Sequence, residues 1–552
     1  MESNRPWVSN YPAGMPANIN ADSYENLVSF FEDVFAKHGN SPAFENMGKQ
    51  ISYKELDKMS SAFGAYLQNR GLEPGDRFAI MMPNCLQYPI ALVGALKAGL
   101  IIVNTNPLYT RREMLHQFQD SEVKGILIIE NFAHSLEGIL GETGIKVIIR
   151  TSIGEMLGTI KGAITNFVIR KIKKMVPEYN LPNTVTFKDA LKIGSKHSIK
   201  EFVNSPEDVI FHQYTGGTTG VAKGAMLTNR NLIANMLQMQ AVMKVKLKDN
   251  GEICLCPLPM YHIFALMGTL LAMPSLGALT ILVTNPRDLK SVFKEFKAPV
   301  TLFMGLNTLF NAMLNSPLMA QTSFKTLKGT IGGGMAVQVV VAERWEKMTG
   351  QQMIEGFGMT ETSPVASVNP FDGRSRYGTI GMPIPSTDMK IVDEDGQEVP
   401  IGERGELIVK GPQVMAGYYK RPKDTAETVK DGWMYTGDVG IQEPDGYFKI
   451  VDRKKDMILV SGFNVYPNEI EDEVIKNEKV MEVAAVGIPN DKSGEVVKLY
   501  VVKKDPSLTA EEIINYCKSN MTGYKVPKEV EFRDELPKSN VGKILRRHLR
   551  DS

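Results

Sequence analysis

Short apolar runs alternate with segments of helical length along most of this chain. The runs lie at 78–82, 100–103, 126–129 and 147–149, and they resume at 209–213, 279–283 and 300–304. Segments long enough for a helix, such as 87–98, stand between them. Strands that alternate with helices form a largely parallel sheet with helices packed on its faces. The pattern therefore predicts an α/β fold whose large N-terminal domain contains two α/β subdomains.

One helix of this region is marked at both ends. Ser52 and Glu55 have the spacing of a capping box, in which each side chain bonds the backbone N–H of the other residue. The apolar residues that follow at helical spacing are Leu56, Met59, Phe63, Tyr66 and Leu67. Gly71 then ends the run. The segment predicts an amphipathic helix that begins directly after Ser52.

The sequence changes character between about 375 and 450. Glycine and proline residues there interrupt short strands such as 407–409, which predicts a small β-barrel-like subdomain. Beyond it the pattern returns to mixed strands and helices. We therefore expect an N-terminal domain over 1–452, which includes the β subdomain, and a small mobile α+β C-terminal domain over 453–552.

The composition excludes several classes of protein. The 63 Lys and Arg residues nearly balance the 62 Asp and Glu residues, so no overall field directs the chain to nucleic acid. The four cysteines have neither the spacing of a disulfide framework nor that of a four-ligand zinc site. The first residues lack the basic start and apolar core of a signal peptide. We expect a cytoplasmic protein, and the sequence leaves its oligomeric state open, with a homodimer among the alternatives.

Two segments bear on membrane contact. The apolar run 263–283 is interrupted by Gly268 and Pro274, which favours a buried helix, turn and strand over a membrane span. Residues 163–176 combine an apolar stripe with four basic residues. A basic amphipathic helix of this kind can lie in a membrane interface, here the inner face, or it can be an ordinary surface helix.

Residues 214–224 combine glycines, hydroxyl groups and one cation. In order they are Tyr214, Thr215, Gly216, Gly217, Thr218, Thr219, Gly220, Val221, Ala222, Lys223 and Gly224. The glycines let backbone N–H groups turn toward a ligand, the threonines add hydroxyls and Lys223 adds positive charge. A P-loop requires Gly-Lys-Ser/Thr, and Ala222-Lys223-Gly224 does not supply it. The segment predicts a polyphosphate site of another kind.

Further segments suit the rest of a nucleotide. In 355–361, an adenine can stack on Phe357 while the carboxylate of Glu361 reaches a phosphate-bound Mg²⁺, because hard cations take oxygen ligands. Three glycines at 332–334 let the backbone line a flat base or a slender substrate. The Asp438 carboxylate can hold ribose hydroxyls. Taken singly, the charge run 452–456 is typical of a solvated linker between domains, and Lys543 is typical of a lysine in a C-terminal tail.

Together and in this order, these segments resemble the core motifs of the adenylate-forming superfamily, which includes acyl-CoA synthetases, adenylation domains and luciferases. The matching segments are 215–224, 356–361, 435–438, 452–462 and 537–543. The resemblance spans nearly the whole chain. It is closest to bacterial long-chain fatty acid CoA ligases, through the stretches 104–110, 257–264 and 460–467.

The resemblance implies two half-reactions with Mg²⁺ as cofactor and ATP and CoA as co-substrates. A fatty acid carboxylate attacks the α-phosphorus of ATP, which gives an acyl-adenylate and pyrophosphate. The thiol of CoA then attacks the acyl carbon and releases AMP. The implied catalytic residues are Lys543, which bridges the α-phosphate and the carboxylate, Glu361 and Thr215, which hold Mg²⁺, and His262 beside the carboxylate.

The resemblance also implies the binding residues. ATP would be held by 214–224 together with Gly334, Glu355, Gly356, Phe357, Gly358, Thr360, Asp438 and Arg453. The small domain would rotate about a hinge at Lys455, which brings Ser461 and Gly462 to the site and leaves room for the pantetheine arm of CoA. The acyl pocket would be lined near Gly305, Asn307, Gly333 and Val365.

Several alternatives stay open at this point. One is a fatty acyl-AMP ligase that hands its acyl group to a carrier protein, and another is a medium-chain or aryl-CoA ligase. From a different class, the basic helix fits a lipid-surface binding protein with an inactive nucleotide fold. The joint presence of Thr215, Glu361, Asp438, Arg453 and Lys543 argues against that last reading.

Overall fold

A computed structural model describes residues 5–215, 222–490, 492–539 and 542–550. Six residues of the predicted polyphosphate segment lie outside the described residues. They are Gly216, Gly217, Thr218, Thr219, Gly220 and Val221.

The strands and helices follow the chain in this order. The strands are β1 (Pro42–Asn46), β2 (Lys49–Ser52), β3 (Arg77–Met81), β4 (Ile101–Asn104), β5 (Val123–Ile129), β6 (Val147–Thr151), β7 (Val185–Thr186), β8 (Val209–Thr215), β9 (Lys223–Thr228), β10 (Ile253–Cys256), β11 (Leu279–Leu282), β12 (Leu302–Gly305), β13 (Gly329–Gly332), β14 (Met353–Gly358), β15 (Val365–Val368), β16 (Met382–Pro383), β17 (Asp388–Val392), β18 (Arg404–Lys410), β19 (Gly417–Tyr418), β20 (Val429–Lys430), β21 (Trp433–Gln442), β22 (Phe448–Arg453), β23 (Ile458–Val460), β24 (Phe463–Val465), β25 (Val480–Asn490), β26 (Gly494–Lys503) and β27 (Glu529–Phe532). The α-helices are α1 (Leu27–His38), α2 (Tyr53–Asn69), α3 (Gln87–Lys97), α4 (Arg111–Ser121), α5 (Ala133–Glu137), α6 (Thr159–Phe167), α7 (Phe187–Gly194), α8 (Asn229–Met243), α9 (Ile263–Ala265), α10 (Leu289–Glu295), α11 (Asn307–Leu314), α12 (Val339–Thr349), α13 (Pro422–Thr428), α14 (Pro467–Val474), α15 (Ala510–Asn520) and α16 (Arg546–Arg550).

Two large sheets contain the alternating runs of the sequence. One has nine strands in the order β16-β15-β14-β13-β12-β10-β11-β1-β2, and the other has eight in the order β19-β9-β8-β4-β3-β5-β6-β7. Neighbours are parallel from β14 through β13, β12, β10 and β11 to β1, and from β8 through β4, β3, β5 and β6 to β7. This agrees with the two predicted α/β subdomains. Because parallel strands end at one edge, the loops that follow them gather there.

Two smaller sheets follow. One has the strand order β17-β18-β21-β20, and β22 also pairs with β21. The other has the order β24-β23-β26-β25, and β27 also pairs with β26. The first corresponds to the predicted β subdomain, with one difference. β19 lies within 375–450 but pairs with β9 of the eight-stranded sheet. Its position is set by the partner strand, which the local sequence does not reveal.

The capping box and the interrupted apolar run are confirmed. Ser52 accepts a hydrogen bond from the Glu55 N–H at 3.2 Å, and Glu55 accepts one from the Ser52 N–H at 2.7 Å. The run 263–283 forms α9, a π-helix over Leu266–Ala272, a turn and β11. Among the residues that the structure describes, no helix combines the length and apolar character that crossing a bilayer requires.

The basic amphipathic segment forms α6 and a π-helix over Val168–Ile172. Its exposed large apolar side chains are Ile160, Ile164, Phe167, Ile172 and Met175. Arg170, however, is not free on the solvent face, because its guanidinium forms two hydrogen bonds of 2.9 and 2.6 Å to the buried carboxylate of Glu130. Arg170 therefore holds the helix on its own domain, and the contact depends on a partner 40 residues away in the sequence.

Candidate active site

A cavity of about 1770 Å³ lies between the C-terminal residues and the loops that follow the parallel strands of the two large sheets. Many of the predicted site residues line it. They are Tyr214, Thr215, Ala222, Lys223, His262, Asn307, Gly333, Gly334, Glu355, Gly356, Phe357, Gly358, Thr360, Glu361, Val365, Asp438, Arg453, Lys455 and Lys543. The fold therefore brings together motifs that are more than 300 residues apart in the sequence.

The predicted phosphate end of the cavity is the antiparallel hairpin of β8 and β9. Thr215, the last residue of β8, pairs with Lys223, the first of β9. The hydroxyl of one and the ammonium of the other are thus fixed at the same end of the hairpin. Tyr214, the residue before Thr215 on β8, is held by its hydroxyl, which donates to the Asp120 carboxylate at 2.7 Å. Gly224 lies against the Tyr214 ring, because an added Cβ would be 3.0 Å from it.

A segment without any motif lies alongside this hairpin, where its β19 pairs with β9, and we call residues 415–428 the strap. Its Asp424 accepts a hydrogen bond from the Lys223 ammonium at 2.8 Å. The hydroxyl of its Tyr418 donates to the carboxylate of Glu361 at 2.6 Å. Sequence reasoning missed both residues, because they reach the site only through the pairing of β19 with β9.

The predicted adenine side is built from β14 and the glycines after β13. Close packing explains two of the glycines, since a Cβ on Gly333 would be 3.2 Å from the Phe264 ring and one on Gly358 would be 1.8 Å from the Pro364 carbonyl oxygen. The buried carboxyl of Glu355 accepts a hydrogen bond from the Val337 N–H at 3.0 Å. Burial raises the pKa of Glu355 to about 8, so this group is mostly protonated at neutral pH.

Asp438 and Arg453 face each other on β21 and β22. Their Cα atoms are partners in the ladder, and the carboxylate and guanidinium form an ion pair of 3.0 Å. Burial raises the pKa of Asp438, and the charge of Arg453 opposes that shift. The pair presents an acceptor and donors side by side, an arrangement suited to the vicinal hydroxyls of a ribose.

Lys543 enters the cavity from the C-terminal side. Gly542 makes this approach close, because its φ is +85° and a Cβ there would be 2.7 Å from the Thr308 hydroxyl oxygen. Burial lowers the pKa of Lys543 to about 8, and the charge of Arg453 adds to the effect. Burial also lowers the pKa of His262 to about 4, with a further contribution from the charge of Lys543. The site therefore combines a neutral imidazole with a lysine that loses its charge near pH 8.

Charged contacts fix the C-terminal residues beside Lys455. The Arg546 guanidinium contacts the carboxylate of Glu471 at 2.7 Å and that of the buried Asp452 at 3.4 Å. The backbone N–H of Asn468 also donates to Asp452, at 2.8 Å. Burial lowers the pKa of Lys455 to about 8. Asp452, on β22, is thus bonded to both α14 and α16.

The predicted CoA loop lies elsewhere. Ser461 and Gly462 form the turn between β23 and β24, with φ values of +49° and +83°. Neither residue lines the cavity, and a Cβ added to Gly462 would have no atom within 4 Å. In this arrangement the loop is separate from the site that contains Lys543.

Three of the four predicted acyl-pocket residues, Asn307, Gly333 and Val365, line the cavity. Gly305 does not, because it lies beneath the ring of Phe310, which a Cβ would approach to 2.7 Å. An apolar arm extends the cavity instead. It is lined by Met239, Met243, Met267, Gly268, Ala272, Leu302, Met304, Ile331 and Val368. Sequence reasoning missed this arm, since its residues have the apolar pattern of ordinary core helices and strands.

The residues at the phosphate end fit Mg²⁺ when the cation arrives with a polyphosphate. Glu361 is buried and offers a carboxylate, and Thr215 offers a hydroxyl, which are the oxygen donors that this cation prefers. Among the described residues there is no group of three or more Asp, Glu, His or Cys side chains arranged to hold a metal. Glu361 and Thr215 would supply ligands from the protein, and the phosphates would supply others.

Comparison with known proteins extends these observations. Residues 31–419 match the family of AMP-binding enzymes, and residues 469–543 match the AMP-binding enzyme C-terminal domain. The chain is 54% identical over 547 residues to a long-chain-fatty-acid–CoA ligase of Escherichia coli O6:H1, which covers 99% of this chain and 98% of that protein. A protein of the same name from Bacillus subtilis is 36% identical, with 100% of this chain and 98% of that protein covered.

Solved structures agree with the architecture. ATP-bound MatB from Rhodopseudomonas palustris superimposes with a TM-score of 0.82 at 26% identity, over 95% of this chain and 98% of that chain. The anthranilate CoA ligase AuaEII in complex with anthranoyl-AMP gives a TM-score of 0.85 at 22% identity, over 97% and 98%, which speaks to the fold alone. The predicted fold class is confirmed. The chain belongs to the family of AMP-binding enzymes.

Proposed function

We propose that this protein is an AMP-forming long-chain fatty acid–CoA ligase. The observation that carries the proposal is one cavity that joins three parts: Lys223 of the hairpin together with Glu361, the side chain of Lys543, and an apolar arm. A polyphosphate, a reacting carboxylate and an alkyl chain fit these parts in that order. The name of the relatives that match the chain over nearly its full length supports the same substrate class.

In the first half-reaction the residues of the chain bind and orient two anions. Thr215 and Lys223 hold the pyrophosphate end of ATP, Phe357 stacks on the adenine, and Asp438 with Arg453 holds the ribose. Mg²⁺, held by Thr215 and Glu361, would supply neutralisation of phosphate charge. Such positioning suffices because phosphoryl and adenylyl transfer need little covalent help from a protein.

Lys543 and His262 act at the reacting centre. Below pH 8 the Lys543 ammonium is charged and can neutralise both the fatty carboxylate and the α-phosphate as they approach. His262 stays neutral, so it offers a hydrogen bond beside the carboxylate without adding a second cation. The partial burial of both groups strengthens these electrostatic contacts relative to water.

In the second half-reaction the C-terminal domain, over 453–552, rotates about Lys455. Lys543 leaves the cavity, and the turn with Ser461 and Gly462 takes its place beside the acyl-adenylate. The open space around Gly462 suits this role, because a turn without a side chain leaves a channel for the slender pantetheine arm. The thiol of CoA then attacks the acyl carbon, the bond to AMP breaks, and the thiol proton passes to solvent.

A panel of acids tests the proposal. We expect acyl-CoA and AMP from ATP, Mg²⁺, CoA and each acid, with rates that rise from acetate through octanoate to oleate and stay low with benzoate. A preference for octanoate or benzoate would favour the medium-chain or aryl-CoA ligase. Adenylate without thioester, together with transfer to a carrier protein, would favour the acyl-AMP ligase.

Gly268 offers a way to shorten the apolar arm. A Cβ there would be 2.3 Å from the methyl carbon of Met304, and both residues line the cavity. We expect Gly268→Val to reduce kcat/KM for oleate about tenfold or more while octanoate is used nearly as before, since only the long chain passes this point. Equal losses for both acids would argue against the arm as the acyl site.

We also propose that the segment 163–176 contacts the inner face of the membrane. Its exposed Ile164, Phe167 and Ile172 would enter the interface while nearby lysines meet anionic headgroups. The test is flotation with anionic liposomes after replacement of Lys171, Lys173 and Lys174 by Glu. Arg170 must be kept, because its pairing with Glu130 holds the helix in place. Unchanged flotation would contradict the proposal.

A further inference from the structure

The strap is bonded to the phosphate hairpin along its backbone. Gly417 and Tyr418 pair with Met226 and Ala225 of β9. On either side, the Ala416 N–H donates to the Met226 carbonyl at 3.0 Å and the Tyr419 N–H donates to the Gly224 carbonyl at 2.8 Å. Lys223 is the first residue of β9. Tyr418 on β19 therefore occupies a fixed position relative to Lys223.

The side chain of Tyr418 is bonded to Glu361. Its hydroxyl donates to the carboxylate at 2.6 Å, and the Tyr418 side chain is largely buried. Burial and the neighbouring carboxylate raise the pKa of Tyr418, so the hydroxyl remains a donor. The strap also bonds the backbone of Glu361, since the Met415 N–H donates to the Glu361 carbonyl at 2.9 Å. Both the main chain and the side chain of Glu361 are thus fixed from the strap.

Tyr418 contacts Lys223 as well. The ammonium of Lys223 lies 5.2 Å from the centroid of the Tyr418 ring, within the range of a cation–π contact. One tyrosine therefore touches two residues that are 138 positions apart and that bind opposite partners, the cation and the polyphosphate. The two contacts use different parts of the side chain. The hydroxyl can be removed while the ring stays.

We propose that Tyr418 is a positioning residue that orients the Glu361 carboxylate for Mg²⁺-bound ATP. The inference rests on the proposed function, which assigns Glu361 to the cation. A carboxylate with one oxygen fixed by a donor keeps its second oxygen in a defined direction and loses less rotational freedom when a metal binds. Hydrogen-bond partners of metal ligands typically contribute about 10- to 100-fold to metal affinity or activity.

The test is Tyr418→Phe, which removes one oxygen and keeps the ring beside Lys223. The readout is the dissociation constant of ATP from the full-length protein, measured by calorimetry with excess EDTA and again with saturating Mg²⁺. The ratio of the two constants is the gain from the metal. We expect the variant to lose about tenfold of this gain while metal-free ATP binding is unchanged. A purely structural defect would change both constants by the same factor.

Tyr419→Phe is the matched control. It removes the same atom from the next residue, whose hydroxyl donates to the solvent-exposed Glu122 at 2.8 Å. We expect this variant to keep the full gain from Mg²⁺. If Tyr418→Phe also keeps it, or if Tyr419→Phe loses it equally, the positioning role is wrong.

A double-mutant cycle with Glu361→Gln tests whether Tyr418 acts through Glu361. In the Gln background, Tyr418→Phe should cost nothing further in metal-dependent ATP affinity, because contacting residues are energetically coupled. An undiminished cost there would overturn the proposal. Failure of the proposed function is seen separately. A wild-type protein that gains ATP affinity from Mg²⁺ but forms no acyl-CoA would refute the ligase and leave the role of Tyr418 intact.

Discussion

Two lysines that line the cavity, Lys223 and Lys543, are held in opposite ways. Lys223 is bonded within the N-terminal part of the chain, by the Asp424 carboxylate at 2.8 Å and by the ring of Tyr418. Lys543 comes from the C-terminal part, and burial together with the charge of Arg453 lowers its pKa to about 8. The contacts of Lys223 are therefore made within the N-terminal part alone, whereas Lys543 reaches the cavity only through the placement of the C-terminal residues.

The difference suggests a division of labour that the two half-reactions require. Pyrophosphate and ATP must bind to a site that keeps its shape, which contacts inside one body provide. Adenylate formation and thioester formation need different groups at the acyl carbon, which exchange at a domain interface provides. Each of the following changes alters one side of the comparison.

The largest effect is expected from Lys543→Ala. Adenylate formation, measured as the release of pyrophosphate, should become about 10²- to 10³-fold slower, because a charge that faces the reacting phosphate and carboxylate is lost. Thioester formation from supplied acyl-adenylate should be largely spared, since the proposed rotation removes Lys543 from the site before that step. Equal losses in both half-reactions would contradict the division of labour.

Gly462→Leu should give the reverse pattern. Pyrophosphate release should persist, while thioester formation falls about 10²-fold because the side chain obstructs the path of the thiol. Leucine is also strained at a φ of +83°, and Gly494→Leu, at the first residue of β26, controls for that strain with a φ of +77°. Comparable loss of pyrophosphate release in Gly462→Leu would show that the turn does more than admit CoA.

The pH dependence of adenylate formation tests the reacting end without removing it. Since the pKa of Lys543 is lowered to about 8, the ammonium is charged below that pH and neutral above it. We expect kcat/KM for the fatty acid to fall about tenfold for each pH unit above 8, because kcat/KM reports groups of the free enzyme. Lys543→Arg should remove the decline. A decline that persists would point to Lys455, whose pKa is lowered to a similar value.

The smallest effect is expected from Asp424→Asn at the phosphate end. The carboxylate competes with polyphosphate for Lys223, so its removal should tighten the binding of ATP and of pyrophosphate. Both partners are partly exposed, at 26% and 32%, and such pairs contribute about 0.2–1 kcal/mol. The binding constants should therefore change by at most about fivefold. Weaker binding of both ligands would show that Asp424 positions Lys223 rather than competing for it.

More of the fold than of the candidate site could be predicted from the sequence. The capping box of Ser52 and Glu55 places the start of α2, because both partners are three residues apart. The parallel strands could be predicted as well, because each is a short apolar run of consecutive residues. Membership of the AMP-binding enzymes and the α/β fold class are confirmed by the comparisons.

The contacts around the motifs could not be predicted in the same way. Tyr418, Asp424 and the Glu130 partner of Arg170 act through residues that are 40 or more positions away, and nothing in their local pattern distinguishes them from surface polar residues. Residue roles carried over by motif remain predictions, as do the domain boundary near 452 and the hinge at Lys455. The placement of Gly305 beneath Phe310 shows that a position next to the pocket in the sequence need not face it.

Gly542 makes the first half-reaction vulnerable to single mutations. Its backbone lies so close to Thr308 that any Cβ would meet the hydroxyl oxygen at 2.7 Å, and its φ of +85° disfavours every other residue. Every single-base change of a glycine codon that replaces the amino acid adds a Cβ. We expect such a change to shift Lys543 relative to Thr308 while Lys543 itself stays intact, and a lineage that carried it would retain the transfer step while its adenylate formation weakened.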